Sequence, residues 1–338
     1  MPRLSANRRH LVMALAGGAP LAAGAVAVTR RPFETLRAAA RVRLLLRGAA
    51  ERTVLVDGLP VRYFAAGRAP NGAMTAPVVV LVPGLGDAAE TWARVMPALA
   101  RHGRVLAPDL AGFGRTPIPR EGMHFSVLVA YLAGFLDALG VGRAALVGNS
   151  LGGAVAIRYA ATHPDHVSHL VLLNSAGLLH NVPAVLTPAT RAVAQELVAV
   201  STGSTRRLPG FVLDALVRQS SRPAQRAYLG GTEVTDVTAD LPRVTAPTTL
   251  VWGERDRLIP LSHGRRLRDG IAGAELIVLP GVGHLPQADA PDRVVAIVRD
   301  RVWPDARRPS RPPGTARRRR VSASDAPSPE ALQGTSEG

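Results

Sequence analysis

The chain has 338 residues but no cysteine and no lysine, and aromatic residues make up only 4% of it. The lack of cysteine excludes disulfides, zinc–thiolate sites and a catalytic thiol. It does not indicate whether the protein works in an oxidising or a reducing compartment. All 41 basic residues are therefore arginines, which together with the many alanines and glycines indicates codon bias rather than a function. The length and the 47% hydrophobic content are sufficient for one large α/β domain or two smaller ones.

The formal net charge of +16 lies mostly at the two ends of the chain. Residues 1–52 hold ten arginines against two acids and residues 301–338 hold eight against four, whereas residues 53–300 hold 23 against 19. No nucleic-acid recognition motif or basic–aromatic stripe accompanies this charge, so nucleic acid is not an expected partner. The basic ends are either solvated tails or a surface for contact with an anionic membrane.

Residues 1–30 are expected to form an export signal or a membrane anchor. Residues 11–28 are an uncharged run of marginal length for a membrane span. The arginine pair Arg8-Arg9 before this run resembles a twin-arginine export signal, and small residues near Ala25 offer a cleavage site. Cleavage and anchoring stay open, but both place the protein at or beyond a membrane.

The next segment, residues 31–52, is predicted to be a basic amphipathic helix, because Phe33 to Gly48 combines helical spacing with four arginines. Such a helix can lie on a lipid surface or pack on the domain edge. At the other end, residues 304–338 are rich in proline, serine, arginine and glycine, which predicts a disordered tail.

From residue 53 onwards, strand-like and helix-like stretches alternate, which predicts an α/β fold with helices on both faces of a mostly parallel sheet. A hairpin around Asp57-Gly58 supplies two strands, and six apolar runs such as 77–82 bring the sheet to eight. Intervening helices are predicted at 88–102, 126–139, 153–163 and 264–271.

Ser150 follows the apolar run 144–147 and precedes a helical stretch, with Gly148 and Gly152 on either side. This is the G-x-S-x-G pattern of a nucleophile elbow, in which a serine on a sharp turn exposes its hydroxyl. The glycines avoid clashes in the turn, and the helix directs its N-terminal amides towards developing negative charge. Taken alone, the pattern also fits a glycine-rich turn with a solvated serine.

Other loops at the carboxyl ends of strands complete a candidate site. After the third strand, a glycine-rich loop leaves its amides free, so the backbone N–H of Leu85 and that of Leu151 are expected to form an oxyanion hole. Asp256 and His284 follow the last two strands, and the order Ser150, Asp256, His284 is that of a catalytic triad built on this elbow.

Two further carboxylates lie in comparable loops. Glu254 competes with Asp256 for the role of the acid that orients an imidazole. Asp109 follows the fourth strand, where it is expected to stabilise a turn through side-chain hydrogen bonds to the backbone.

These motifs make residues 53–302 resemble an α/β-hydrolase. The resemblance is carried by Val82-Pro-Gly-Leu-Gly, Pro108-Asp-Leu-Ala-Gly-Phe-Gly, Gly148-Asn-Ser-Leu-Gly-Gly, Trp252-Gly-Glu-Arg-Asp and Gly283-His284. It implies a core of residues 53–175 and 244–303, and a helical cap of residues 176–243 before the seventh strand. Within the cap, helices are predicted at 188–200, 211–220 and 223–229. One departure is Pro83, where many members have histidine, which alters the polar contacts behind the oxyanion hole.

The resemblance also implies a mechanism. His284 takes the proton of Ser150, Asp256 orients the imidazole, and water releases an acyl-enzyme; no metal or organic cofactor is needed. A serine at the elbow argues against the epoxide-hydrolase and haloalkane-dehalogenase branches, which need a carboxylate there.

Three functions remain open. The first is a carboxylesterase or lipase-like enzyme acting on a small-molecule or lipid ester, because the N-terminal apolar segment and basic helix are similar to those of membrane-anchored monoacylglycerol lipases. The second is a carbon–carbon hydrolase of ring meta-cleavage products, which shares the elbow but usually has tryptophan where this chain has Leu285. The third is a non-catalytic binding protein, against which the intact triad argues.

Overall fold

The computed structural model describes residues 29–68, 77–178, 183–231 and 235–304. The expected signal or anchor run, residues 11–28, and almost all of the expected disordered tail lie outside these ranges. Among the described residues, no helix combines the length and the apolar character needed to cross a membrane.

Eight strands form one sheet in the order β1-β2-β4-β3-β5-β6-β7-β8. Their bounds are β1 (Ala50–Val56), β2 (Leu59–Ala66), β3 (Val78–Val82), β4 (Val105–Pro108), β5 (Ala144–Asn149), β6 (Val167–Leu173), β7 (Thr248–Gly253) and β8 (Glu275–Leu279). Strand β2 pairs antiparallel with both β1 and β4, whereas all other pairs are parallel. The predicted mostly parallel eight-stranded sheet is thus confirmed.

Helices cover both faces of this sheet. They are α1 (Pro32–Leu46), α2 (Met96–Leu99), α3 (Phe125–Ala138), α4 (Leu151–Thr162), α5 (Arg191–Thr202), α6 (Gly210–Ser220), α7 (Pro223–Leu229), α8 (Leu261–Gly270), α9 (Pro286–Asp289) and α10 (Pro291–Val302). In β3, Val80 and Val82 pack in the core layer of α3 and α4, while Val79 and Leu81 pack in the layer of α2 and α10. Because strand side chains alternate between faces, a continuous apolar run supplies both layers.

The helix predicted at 88–102 is broken into a 3-10 segment, Ala89–Arg94, and the short α2. Pro97 lies inside α2 and has no backbone N–H to donate to the preceding turn, so one continuous helix is not maintained.

Helix α1 is shorter than the predicted segment 31–52. Gly48 adopts a left-handed conformation with φ of 85°, which ends the helix, and β1 begins two residues later. Leu44 is fully buried against the domain, whereas Leu36, Val42 and Leu46 are exposed. One side of the helix therefore packs on the domain edge while apolar side chains remain on its outer side.

The three helices α5, α6 and α7 lie between β6 and β7, where the cap is expected. The C-terminal end of α5 contacts the loops after β7 and β8. There Val200 O accepts the N–H groups of Arg257 and Leu258, at 2.8 and 3.2 Å, and Ser201 O accepts that of His284 at 2.6 Å. The cap is thus hydrogen-bonded to the two loops that carry the predicted acid and base.

Candidate active site

Ser150 lies at the junction of β5 and α4, in the turn that the sequence predicts. Its φ of 54° and ψ of −121° are unusual for a residue with a side chain, which makes this a strained position. A Cβ on Gly148 would lie 2.5 Å from the carbonyl oxygen of Gly152, and one on Gly152 would lie 2.4 Å from that of Pro83. Because of this crowding, the positions two residues before and two residues after the serine exclude side chains.

The predicted acid and base meet at the same edge of the sheet. Asp256 is only 3% exposed, and its Oδ2 lies 2.7 Å from His284 Nδ1. Its other carboxylate oxygen accepts the N–H groups of Leu258 and Ile259 at 2.9 and 3.0 Å. This arrangement orients the imidazole and leaves its Nε2 for a partner on the other side.

Sequence reasoning missed Asn174, which supports this pair. Its Nδ2 donates to Asp256 Oδ2 at 2.6 Å, and its Oδ1 accepts the N–H of Gly253 at 3.0 Å. Asn174 is fully buried, with a φ of 43° that asparagine tolerates better than most residues. Asn174 directly follows β6. A polar residue just after the end of a strand is the signal by which the sequence points to Asp256 and His284, and the same signal applies to Asn174.

A second missed contact joins the elbow to the loop of His284. Asn149 Nδ2 donates to the backbone oxygens of Leu173 and His284, at 2.9 and 3.2 Å. Its Oδ1 accepts a hydrogen bond from the fully buried Gln287 at 3.1 Å. The residue before Ser150 thus holds the histidine loop against the nucleophile turn.

The two competing carboxylates have other partners. Glu254 is exposed and accepts the N–H of Gly281 at 2.9 Å, so it does not contact the imidazole. Asp109 accepts the N–H groups of Ala89 and Arg115 at 2.7 and 2.9 Å, in the turn-stabilising role expected for it. Burial raises the pKa of Asp109 to about 6, against the opposing effect of these two hydrogen bonds.

The predicted oxyanion donors lie in two segments next to Ser150. Leu151 is the first residue of α4, and Leu85 lies in the turn after β3. A Cβ on Gly84 would lie 3.2 Å from the Cβ of Ser150, so this turn packs directly against the nucleophile. Within the described part of the chain, neither amide donates a hydrogen bond, and their role in an oxyanion hole stays a prediction.

Ser150 and His284 both open into one cavity of about 910 Å³. In this structure no hydrogen bond joins Ser150 Oγ to the imidazole, and such bonds often tighten only when substrate binds. The cavity walls come from the turn after β3, the cap, the His284 loop and, unexpectedly, helix α1. Prominent lining residues are Phe33, Leu36, Arg37, Arg43, Leu85, Asp87, Arg94, Leu186, Leu197, Val198, Leu216, Gln219 and Leu285.

Asp87, on the wall of this cavity, has a pKa raised by burial, which the nearby charge of Arg37 partly opposes. No group of three histidine, aspartate or glutamate side chains in the described ranges could hold a metal ion.

A strained serine that faces the same cavity as a histidine–aspartate pair can attack a carbonyl carbon, and this chemistry defines a serine-nucleophile hydrolase. The profile of the alpha/beta hydrolase fold matches residues 77–204, from β3 into the cap. The chain belongs to the α/β-hydrolase family, as its sequence and structural relatives also indicate.

Among curated proteins, the chain is 35% identical over 249 residues to a 2-hydroxy-6-oxo-2,4-heptadienoate hydrolase of Pseudomonas putida, covering 66% of this chain and 87% of that protein. It is 31% identical to a 2-hydroxymuconate semialdehyde hydrolase of a Pseudomonas species, over 66% of this chain and 85% of that protein.

Among solved structures, a membrane phospholipase A described as a bacterial virulence factor matches with a TM-score of 0.69 and 26% identity. That match covers 89% of this chain and all of the other. A meta-cleavage product hydrolase from Pseudomonas fluorescens matches with a TM-score of 0.64 and 25% identity, over 75% and 98% of the two chains.

Proposed function

We propose that this protein hydrolyses the bond between an acyl carbonyl carbon and its leaving group through an acyl-enzyme on Ser150. The observation that carries the proposal is the 2.7 Å contact between His284 Nδ1 and Asp256, next to the cavity that Ser150 and His284 share. In this mechanism His284 Nε2 accepts the serine proton and later delivers it to the leaving group. The amides of Leu85 and Leu151 bind the oxyanion, and water then releases the acyl group.

For the substrate, we place carbon–carbon hydrolysis of a ring meta-cleavage product first. The sequence alone ranks carboxylic esters first, but the names of the relatives at 35% and 31% identity support the other class better. A dienoate substrate carries a carboxylate, and three arginines line the cavity. Two of them, Arg43 and Arg94, donate to backbone carbonyls, and within the described residues neither forms a direct ion pair that would neutralise its charge.

The ester class is the second candidate, and it includes lipids. Its support is the membrane phospholipase A, whose match extends over 89% of this chain. The leucines of the cavity suit an acyl chain, and Leu285 replaces the tryptophan that ring-cleavage hydrolases usually carry.

An assay panel separates these candidates. The purified protein is given a coloured 2-hydroxy-6-oxo-dienoate, a p-nitrophenyl ester series from acetate to dodecanoate, and a fluorophosphonate probe. We expect turnover of the dienoate, labelling by the probe, and loss of both in Ser150→Ala, with a fall in kcat of about 10⁴-fold or more. Turnover of esters alone would favour the second candidate. A folded wild-type protein that reacts with none of the three would contradict hydrolysis and favour a binding protein.

We further propose that the chain is held at a membrane by residues 11–28, with helix α1 at the lipid surface. The support is the exposed apolar side chains of Val42 and Leu46 on the outer side of α1, together with the excess of ten arginines over two acids in residues 1–52.

A further inference from the structure

Two side chains from outside the hydrolase core meet at a single carbonyl oxygen beside the predicted oxyanion hole. Arg37 Nη2, from α1, donates to Gly86 O at 2.8 Å, and Gln219 Nε2, from the cap helix α6, donates to the same oxygen at 2.6 Å. Along the chain, Arg37 and Gln219 are 49 and 133 residues away from Gly86. This carbonyl belongs to the residue that follows Leu85, so the two donors act on the turn that contains a predicted oxyanion donor.

The backbone at this point is a tight turn. Asp87 donates its N–H to Gly84 O at 3.2 Å, and Gly86 has a φ of 69° at the third position of the turn. A positive φ at this position is typical of a type II turn, in which Leu85 is the second residue and keeps its N–H free. Since Gly84 packs on the Cβ of Ser150, a rotation of this turn would move the Leu85 amide relative to the nucleophile.

The cap also closes on this turn from a second helix. A Cβ on Gly86 would lie 2.4 Å from Gln225 Oε1, so the side chain of Gln225, from α7, packs directly against Gly86. Gly86 O itself has its two lone pairs matched by two donors, one of them charged, and charge-assisted hydrogen bonds are about twice as strong as neutral ones.

We propose that Arg37 and Gln219 are positioning residues for the oxyanion hole, which together fix the Gly86 carbonyl and thereby the direction of the Leu85 N–H. The inference rests on the proposed function. It makes the N-terminal helix and the cap functional parts of the active site, because displacing either one releases the turn that carries the oxyanion donor. The two residues touch neither the nucleophile nor the acid–base pair.

The test uses the full-length protein and the variants Arg37→Met, Gln219→Met and the double variant. Arg37→Lys is the conservative rescue, because lysine keeps a charged donor. Arg41→Met is the matched control, since Arg41 lies on the same helix but pairs with Glu51 and is not among the residues that line the cavity. Kinetics are measured on whichever substrate the wild type turns over, together with the rate of fluorophosphonate labelling.

We expect each single variant to lower kcat about tenfold with little change in KM, since small displacements of catalytic groups reduce rates steeply. The double variant should lose about 100-fold, comparable to removing one oxyanion donor. Arg37→Lys should recover most of the loss, and Arg41→Met should keep the wild-type kcat. Labelling rates should fall in parallel, because the probe's phosphoryl oxygen occupies the oxyanion hole.

Three outcomes would overturn the inference while leaving the proposed function intact: wild-type kcat in the double variant, a rise in KM without a change in kcat, or an equal loss in Arg41→Met. A wild-type protein without any turnover or labelling would instead refute the proposed function. If circular dichroism shows that the double variant does not fold, the kcat of Gln219→Glu tests the inference instead. Its carboxylate repels the carbonyl, so it must lower kcat at least as much as Gln219→Met.

Discussion

Replacing Asn174 with glycine removes two buried hydrogen bonds without changing the residues that are expected to carry the reaction. Glycine is the right substitute because the φ of 43° suits it, whereas alanine would add about 1 kcal/mol or more of backbone strain. The variant leaves Asp256 Oδ2 with His284 alone and leaves the N–H of Gly253 without its acceptor.

The size of the effect follows from these contacts. A hydrogen bond to a charged group contributes about 1.5–3 kcal/mol, and a buried donor left without a partner costs about 1–3 kcal/mol. The free energy of unfolding should therefore fall by about 3–5 kcal/mol. The Asp256 carboxylate keeps its two backbone donors from residues 258 and 259, so His284 is disoriented rather than lost, and kcat should fall about tenfold.

Urea denaturation measures the stability of wild type and Asn174→Gly, and steady-state kinetics measure kcat on the same samples. Asn174→Asp is a useful companion, because it places a second carboxylate against Asp256 and the two like charges resist ionising together. Its kcat should fall further than that of Asn174→Gly. A stability within 1 kcal/mol of wild type, combined with unchanged kcat in Asn174→Gly, would refute the assigned role of this hydrogen-bond network.

Two further predictions concern pH and the N terminus. Burial raises the pKa of Asp109 from 3.8 to about 6. The folded state therefore binds the carboxyl proton more tightly than the unfolded state does. As the pH rises through this interval, the free energy of unfolding falls by about 3 kcal/mol. In denaturation experiments the stability of Asp109→Asn relative to wild type should therefore increase by about that amount from pH 3 to pH 7, and a difference independent of pH would contradict the assignment. For the membrane anchor, sequencing of the mature protein should find the chain uncleaved, whereas a start near Val26 or Val28 would show that residues 11–28 are a removed signal.

Much of the fold was predictable because its signals are local. Continuous apolar runs predicted strands buried on both faces, and their alternation with helical stretches predicted a mostly parallel sheet. The least accurate predictions were element ends. The segment 31–52 was too long because Gly48 ends the helix, and the helix at 88–102 failed because Pro97 interrupts it.

The part of the candidate site that lies just after the carboxyl ends of strands was predictable from the sequence. Parallel strands bring their carboxyl ends to one edge, so residues far apart in the chain, such as Ser150 and His284, could be assigned to one site from their positions alone. The choice between Asp256 and Glu254 needed the structure, because both lie in the same loop and only the path of the backbone decides which carboxylate faces the imidazole.

By itself the sequence determined the sheet, the strained serine turn and the order of the predicted catalytic residues, since each depends on a short pattern or on the direction of the strands. Only the tertiary structure brought Asn174 to Asp256, or joined Arg37 and Gln219 at Gly86. Those contacts depend on how helix α1 and the cap pack on the sheet, and no periodicity in the chain encodes that packing. For the same reason, only the tertiary structure revealed that the N-terminal helix forms a wall of the cavity that contains Ser150.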